Sequence, residues 1–459
     1  MPNINPNRLL RFSIVFVDLI LIFVAYVAAF KIASNYTPIV QRNIDSFVNL
    51  LPWILLMGVF FIVVFELDRL VEYDMWDLTR KLVVTSAFFF VITIAISFLF
   101  REFSLPRSVL FLSHFFIFVF LYAWKGLVIK FNQLTKGKAV IIGCHSEYET
   151  IKGNIKKLVK KQEQVDFIDH KTPYQEIKKR IADYDAVFVS SSVSTKVKNE
   201  VLYLAFKKNK IAYVLPTVSE LLLMKSTITT LDDTMLLQVK PFYINGGYLV
   251  AKRIFDLTTS VILLALTLPV MLMTAIAIKI EDGGSIFFKQ ERLGKNNKPF
   301  NILKFRSMKE NAEKDTGPTL AKSDDDRITK VGDFIRKTRI DELPQLINVL
   351  KGEMSIVGPR PERYFFAENF QRQNIWFKTR CAVKPGITGY AQVMGNYTTE
   401  MNDKLKFDLH YIRNYSLWLD MVILMRTILV VINKAKAEGG EVQEPQSAKA
   451  FVSASKEVR

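Results

Sequence analysis

The chain has 459 residues, half of them hydrophobic, and a formal net charge of +18. That length allows two to four domains, and so apolar a composition excludes an ordinary soluble chain in favour of a membrane protein. The charge points to an anionic partner (nucleic acid, an acidic lipid surface or phosphorylated substrates), while two distant cysteines, Cys144 and Cys381, and four scattered histidines exclude a disulfide framework or a zinc site.

Four apolar runs open the chain, at about 12–33, 47–67, 82–100 and 108–129. Each has roughly the 20 residues that cross a bilayer. The first is too long for a signal-peptide core and three more follow, so no cleavable leader is expected. Asp18 interrupts the first run. It is either a functional intramembrane carboxylate or, more simply, a group near the interface or paired among the helices. With the N-terminus inside, nine lysines and arginines from Arg8 to Lys138, Lys125 among them, flank the cytosolic side. Four, Lys31, Arg42, Arg101 and Arg107, flank the outer side. This asymmetry predicts an N-in topology, and four spans return the chain to the cytosol.

From residue 138 the pattern changes. Ala139–Gly143 reads as a strand, 147–162 as a helix, and 165–169, 186–191, 211–215 and 235–239 as further strands with helices between. The alternation predicts a parallel, Rossmann-like sheet. Gly143 is followed by Cys144, His145 and Ser146, so the glycine-rich phosphate loop of a dinucleotide site is missing. A scaffolding, dimerising or regulatory domain is expected, and it leaves room for a homodimer. Residues 240–250, with Pro241 and Gly246-Gly247, read as a linker.

A fifth apolar segment covers 254–280 and contains Pro269, a residue that removes a helix hydrogen bond and bends the helix. Lys252 and Arg253 flank one end and Lys279 the other. Positive charge at both ends fits a segment that enters the membrane and returns to the cytosolic face. Short strands are expected at 285–288 and 300–305. Their interleaved aromatic and basic residues also fit nucleic-acid binding, a reading set aside for a membrane-anchored chain. Ser323-Asp324-Asp325-Asp326-Arg327 reads as a solvated acidic loop before a helix at 328–337. The apolar stretch from Leu417 is short for a span and is expected to lie at the interface or to pack on the fifth segment. Residues 435–459 read as a polar, disordered tail.

The densest chemistry lies at Asp341-Glu342, followed by Leu343, Pro344 and an apolar stripe of Leu346, Ile347 and Leu350 before Gly352. The pattern predicts a helix that Asp341 caps and Gly352 stops, with both carboxylates at its positive end. Arg336, Lys337, Arg339, Arg360, Lys304 and Arg306 surround this stretch in sequence. Metal-binding carboxylates among cations suggest a phosphate-handling site, though the dipeptide alone also fits a capped, solvated helix start.

Asp341–Leu346, Asn348–Ser355 and Val357-Gly358-Pro359-Arg360-Pro361-Glu362 together resemble the core of the bacterial sugar transferases, the monotopic polyprenyl-phosphate phosphoglycosyl transferases. Lys252–Asp256, Phe288–Gly294, Lys304–Met308 and Val383–Gly389 match in the expected order, so the resemblance covers about the last 200 residues. The architecture it implies is a four-helix transmembrane bundle (1–135), a Rossmann-like α/β middle domain (136–245), an α/β catalytic domain (246–434) and a polar tail (435–459). The catalytic domain would carry a re-entrant membrane hairpin at about 253–280, broken at Pro269. Family members often have Ser before that proline. Here Leu268 stands there and Thr267 precedes it, so Thr267 is expected to satisfy the freed backbone groups.

The implied activity is transfer of a sugar 1-phosphate from a UDP-sugar to undecaprenyl phosphate, with release of UMP. It would be the first membrane step of exopolysaccharide, capsule or O-antigen biosynthesis. The implied place is the bacterial cytoplasmic (inner) membrane, with the site on the cytosolic face. By resemblance, Asp341 is the nucleophile and a contact for Mg²⁺, and Glu342 helps deprotonate the acceptor or orients the metal. Arg336 and Arg360 contact phosphate or nucleotide, Pro359 and Pro361 stiffen the Arg360 loop, and Lys304 and Arg306 assist. Partners are then UDP-sugar, undecaprenyl phosphate and the bilayer, not nucleic acid. The alternative from another class is a membrane-anchored regulatory or assembly protein with a ligand-sensing middle domain.

Overall fold

The computed structural model describes residues 6–70, 73, 75–102, 104–135, 138–155, 165–242, 244, 246–309, 325–395 and 401–432. They form two compact units, Met1–Thr217 and Val218–Arg459.

The first unit opens with four helices, α1 (Pro6–Ala33), α2 (Gln41–Val64), α3 (Met75–Leu99) and α4 (Arg107–Thr135). They coincide with the four expected apolar runs, though the second and third end sooner, at Val64 and Leu99, and each helix is long and apolar enough to cross a membrane. Helix α1 packs on α2 and α4, and α3 packs on both of those. Asp18 is paired rather than exposed. Its Oδ2 accepts from Lys125 Nζ at 2.6 Å, and Lys125 also donates to the Leu67 carbonyl at 2.9 Å. Both side chains are fully buried. Lys125 is therefore not a cytosolic flank charge, as its position near the end of an apolar run suggested. It lies inside the helices because an acid on α1 faces it.

The same unit continues as β1 (Ala139–Gly143), α5 (His145–Ile155), β2 (Val165–Asp169), α6 (Tyr174–Arg180), β3 (Ala186–Val189), α7 (Thr195–Lys207) and β4 (Ile211–Val214). The strands form one parallel sheet in the order β2-β1-β3-β4. Strand β1 is central and buried along its whole length, which is why it reads as an unbroken apolar run. Val140, Ile142 and Val187 pack beneath Ile177 and Val201, while Ile141 and Phe188 pack with Ile151. The expected helix over 147–162 is seen as far as Ile155, and 156–164 lies outside the described residues.

The second unit begins with α8 (Val218–Leu223) and an antiparallel hairpin, β5 (Thr227–Leu231) with β6 (Thr234–Gln238). The strand expected at 235–239 therefore pairs locally and does not join the parallel sheet. A tight Asp232-Asp233 turn decides this, with Asp232 in the left-handed region at φ 52°. Helix α9 (Gly246–Asp282) follows, then the hairpin of β7 (Phe287–Leu293) and β8 (Pro299–Phe305). Next come α10 (Lys330–Lys337), α11 (Gln345–Lys351), β9 (Ser355–Val357), α12 (Tyr364–Gln373), β10 (Gly386–Thr388), α13 (Tyr390–Met394), α14 (Met401–Arg413) and α15 (Leu417–Ile432). Strands β9 and β10 pair in parallel. Leu346, Val349, Ile356, Tyr411 and Ile423 form the core around which these pieces close. Helix α15 packs on α9, β9 and β10. The proposed acidic loop is visible only from Asp325, and the tail from 433 lies outside the described residues.

The expected helix break at Pro269 is corrected: α9 runs as one helix from Gly246 to Asp282 with Pro269 inside it, because the proline costs a single backbone hydrogen bond, to the Ala265 carbonyl, and the turns on either side carry the helix on. Both of its ends are tied to the same folded unit. Near the start, Arg253 donates to the Val349 and Leu350 carbonyls at 2.6 and 2.8 Å, and Asp256 accepts from Ser355 Oγ and the Ile356 N–H at 3.0 and 3.1 Å. Lys252 lies between Asp256 and Asp420, at 3.0 and 3.1 Å. At the far end, Glu281 accepts from the Lys330 and Val331 N–H groups, and Asp282 pairs with Arg306. Met271 and Ile278 pack on Phe305 and Ile335 between these anchors. The opposite face leaves Val261, Ile262, Leu266, Leu272 and Ile276 exposed. Thr267 Oγ1 donates to the Leu263 carbonyl at 2.7 Å. That is an ordinary i−4 contact. The acceptor that a proline at 269 releases is the carbonyl four residues earlier, at Ala265, so Thr267 does not have the expected compensating role.

Candidate active site

Asp341 and Glu342 do not start a helix. They occupy a separate 3-10 turn, Ile340–Glu342, and α11 begins only after Pro344, whose side chain provides no cap. The expected Asp341 cap is thus corrected. The cause is Arg339, which holds a left-handed backbone at φ 60° and turns the chain sharply out of α10. A non-glycine residue there is strained, and such strain gathers at functional sites. Gly352 does end α11, in the left-handed region at φ 87° where a glycine fits best.

The turn is held against β8. Asn348 on α11 accepts from the Leu303 N–H at 2.9 Å and donates to the Asn301 carbonyl at 2.8 Å and to Glu353 at 2.7 Å. This clamp brings Lys304 to the carboxylates. Lys304 Nζ lies 3.0 Å from Glu342 Oε1 and 3.7 Å from Asp341 Oδ2. Arg360 donates to Glu342 through both terminal nitrogens, at 2.6 and 3.4 Å, and Arg339 lies 3.8 Å away. Glu342 therefore faces three cations, whereas Asp341 has a more distant share of one.

The Arg360 loop is placed by a close backbone crossing. A Cβ on Gly358 would meet the Lys384 carbonyl oxygen at 2.4 Å, so glycine is required. Gly358 N–H donates to Thr388, and Gly386 N–H donates to the Pro359 carbonyl at 3.0 Å. Buried Arg380 donates to the Arg360 carbonyl at 3.2 Å while paired with Asp408 at 2.7 Å. Pro359 and Pro361 are buried on either side of Arg360.

Electrostatics divides the carboxylates. Burial pushes Asp341 above its ordinary value, Lys304 opposes this, and the neighbouring Glu342 charge adds to it. Burial also acts to raise Glu342, but the Arg360 guanidinium and the Lys304 ammonium hold it well below the usual range. Glu342 is thus a fixed anion already compensated, and Asp341 is a carboxylate with a cation still to gain. Among the described residues no cluster of three or more His, Cys, Asp or Glu side chains gathers. Asp341 fits a hard cation that takes its other ligands from phosphate and water.

Lys304, Arg336, Arg360 and Pro361 line one cavity of about 270 Å³. The structure brings these expected residues together beside the dyad. Arg306 it does not: strand β8 ends at Phe305, so the alternation that aims Lys304 at the site stops, and Arg306 packs on Asp282 and the Gly283-Gly284 turn. Pro359 lines a smaller cavity behind the loop. The sequence reading missed six lining residues, Arg292, Ile302, Gln345, Glu362, Arg363 and Phe366. Arg292 and Gln345 stand inside the recognised motifs, which was the available signal. Arg363 follows directly after the Pro361-Glu362 end of one.

Residues 247–434 match the family model described as bacterial sugar transferase. A UDP-N-acetylgalactosamine-undecaprenyl-phosphate N-acetylgalactosaminephosphotransferase of Aeromonas hydrophila is 43% identical over 223 residues, 48% of this chain and 52% of that one. A UDP-glucose:undecaprenyl-phosphate glucose-1-phosphate transferase of Escherichia coli is 41% identical over 206 residues, 43% of this chain and 44% of that one. The chain thus spans about half the length of these two relatives. An uncharacterised sugar transferase of Bacillus subtilis is 41% identical over 184 residues, which are 40% of this chain but 88% of that protein. With one such relative covered over 88% of its length and the family model matching 247–434, the stretch that contains the dyad, the chain belongs to the bacterial sugar transferase family.

Proposed function

We propose that this protein transfers a sugar 1-phosphate from a UDP-sugar to undecaprenyl phosphate and releases UMP. The observation that carries the proposal is the division of the dyad: Glu342 is locked among Arg360, Lys304 and Arg339, and Asp341 lies 3.7 Å from Lys304, which lines a cavity with Arg336 and Arg360. An Asp341 oxygen attacks the sugar-bearing phosphorus. The bond from that phosphorus to the bridging oxygen breaks, and UMP leaves with the oxygen and its electron pair. The resulting aspartyl phosphosugar is attacked by a phosphate oxygen of undecaprenyl phosphate. The carboxylate is released, and the product is a lipid-linked diphosphosugar. Lys304 and Arg360 balance charge that develops on the transferring group, and Arg336 offers a further donor from the cavity wall. Mg²⁺, held through Asp341 and substrate oxygens, would supply further charge neutralisation. Glu342 orients Lys304 and Arg360.

The surrounding architecture supports a membrane setting. We read α1–α4 as a four-helix transmembrane bundle, the parallel sheet as a Rossmann-like domain, and α9 as a re-entrant segment. Because one folded unit holds both Arg253 and Glu281, both ends of α9 lie on one side of the bilayer, and its exposed apolar face meets lipid. Nucleotide sugars are cytosolic, so that side is the cytosolic face of the inner membrane. The site then lies at the depth of the lipid phosphate.

The test is UMP release by detergent-purified protein with a panel of UDP-sugars, undecaprenyl phosphate and Mg²⁺. One sugar gives release, and Asp341→Asn lowers it on the order of a thousandfold or more with expression and membrane insertion intact. An active Asp341→Asn protein removes the nucleophile from this scheme. Silence with every sugar favours a regulatory or assembly role.

A further inference from the structure

We propose that Arg292, Gln345 and Arg363 form a separate subsite that holds the phosphate of the departing nucleotide. The proposal rests on the transferase reading above. Arg292, near the end of β7, stands directly opposite Arg363 in an antiparallel bridge, and the Leu293 N–H to Glu362 carbonyl bond at 3.2 Å fixes that register. Both arginines line the cavity beside the dyad, with Glu362 also on its wall, and Arg292 donates to Gln290 Oε1 at 2.7 Å. A phosphate between the two guanidiniums takes charge-assisted contacts from both, which their planar forks are shaped to make.

A second observation comes from another element. Gln345, on the first turn of α11, is 1% exposed and lines the same cavity. Among the described residues its Nε2 has no hydrogen-bond partner. Buried amide donors are nearly always satisfied, so this one is left for an acceptor that arrives with the ligand. It adds direction rather than charge.

The cavity walls distinguish the two phosphorylated substrates. Lys304 and Arg360 touch Glu342 and also line the cavity, so the phosphorus under attack is assigned to them. Arg292, Gln345 and Arg363 are further donors on the same cavity wall, assigned to the second phosphate, and Phe366 and Ile302 supply apolar wall for a nucleoside. Among the described residues that line the cavity, none belongs to α9, the helix with the lipid-facing surface.

The experiment measures UMP binding to detergent-purified full-length protein by calorimetry, together with KM for the UDP-sugar and for undecaprenyl phosphate. Arg292→Gln and Arg363→Gln each weaken UMP binding and raise the UDP-sugar KM by about tenfold, while the undecaprenyl phosphate KM stays within about twofold. Gln345→Glu weakens UMP more than Gln345→Ala, because it places a carboxylate against the phosphate. Arg363→Lys recovers part of the loss. If an Arg→Gln variant unfolds, the order of the two Gln345 variants decides. Unchanged UMP affinity in the variants of an active protein overturns the subsite and leaves the transferase reading standing, as does a rise confined to the undecaprenyl phosphate KM. Wild-type protein that neither binds UMP nor releases it from any UDP-sugar overturns both.

Discussion

Asn348 sets the geometry of the dyad without touching it. Its amide satisfies the Leu303 N–H and the Asn301 carbonyl, and so pins the strand that carries Lys304 to the helix that follows Glu342. Asn348→Ala removes the partner of two backbone groups in a part-buried setting, at about 1 kcal/mol for each hydrogen bond lost. The expected result is a thermal midpoint several degrees lower and a transfer rate that falls more than stability alone accounts for, because Lys304 drifts from Glu342. Unchanged kcat in the folded fraction would separate the clamp from the chemistry. At this scale the sequence was legible where chemistry is local. The dyad, Arg360 and Lys304 stood out as a carboxylate pair among cations, and the structure gathers them. Arg306 looked equivalent to Lys304, two residues apart, but the end of β8 breaks the alternation between them. Arg292 and Arg363 share a wall of the cavity only through a bridge between segments some 70 residues apart in sequence, which leaves no local trace.

The four helices of the first unit raise a question that belongs to elements. Apolar length alone identified them, since a bilayer demands about 20 such residues whatever their order. Apolar length says nothing about which helix faces which, and so Lys125 read as a flank charge. In the structure it ties α4 to α1 through Asp18 and to the carbonyl of Leu67 beyond α2. Removing one member of a buried pair strands the other charge, at about 3–5 kcal/mol, whereas replacing both with apolar groups of similar size is often neutral. Lys125→Met is therefore expected to lower the detergent-resistant midpoint sharply, and Asp18→Leu with Lys125→Met to restore most of it. A double variant as damaged as the single one would mean that the pair has a function beyond packing. The dyad's own element was misread for a related reason: Asp before Pro reads as a helix start, but the left-handed Arg339 intervenes, and one residue's backbone decided the local form.

For the whole molecule, the division into two units predicts where activity resides. Every residue placed at the site, from Arg292 to Arg380, lies in Val218–Arg459, as do both anchors of α9. The core of that unit draws on its own strands and helices, including Ile302, Leu346, Val357, Tyr411 and Ile423. The Bacillus subtilis relative is matched over 88% of its length by 184 residues of this chain, too few to include both units. A truncated protein of residues 218–459 should therefore insert into membranes through α9 and release UMP at a rate within about threefold of the full chain, a difference of less than 1 kcal/mol in barrier. Salt extraction separates insertion from surface attachment. Electrostatic attachment of a basic domain fails at high salt, whereas burial of Val261, Ile262, Leu266, Leu272 and Ile276 does not. If the truncated protein stays in the membrane, unfolds cooperatively and yet is inactive, the first unit contributes to the reaction itself, and its parallel sheet becomes the next place to look for a ligand. If it is active, the conspicuous N-terminal half has been added to a self-sufficient enzyme, and its Asp18–Lys125 pair serves the fold of the helices that carry it.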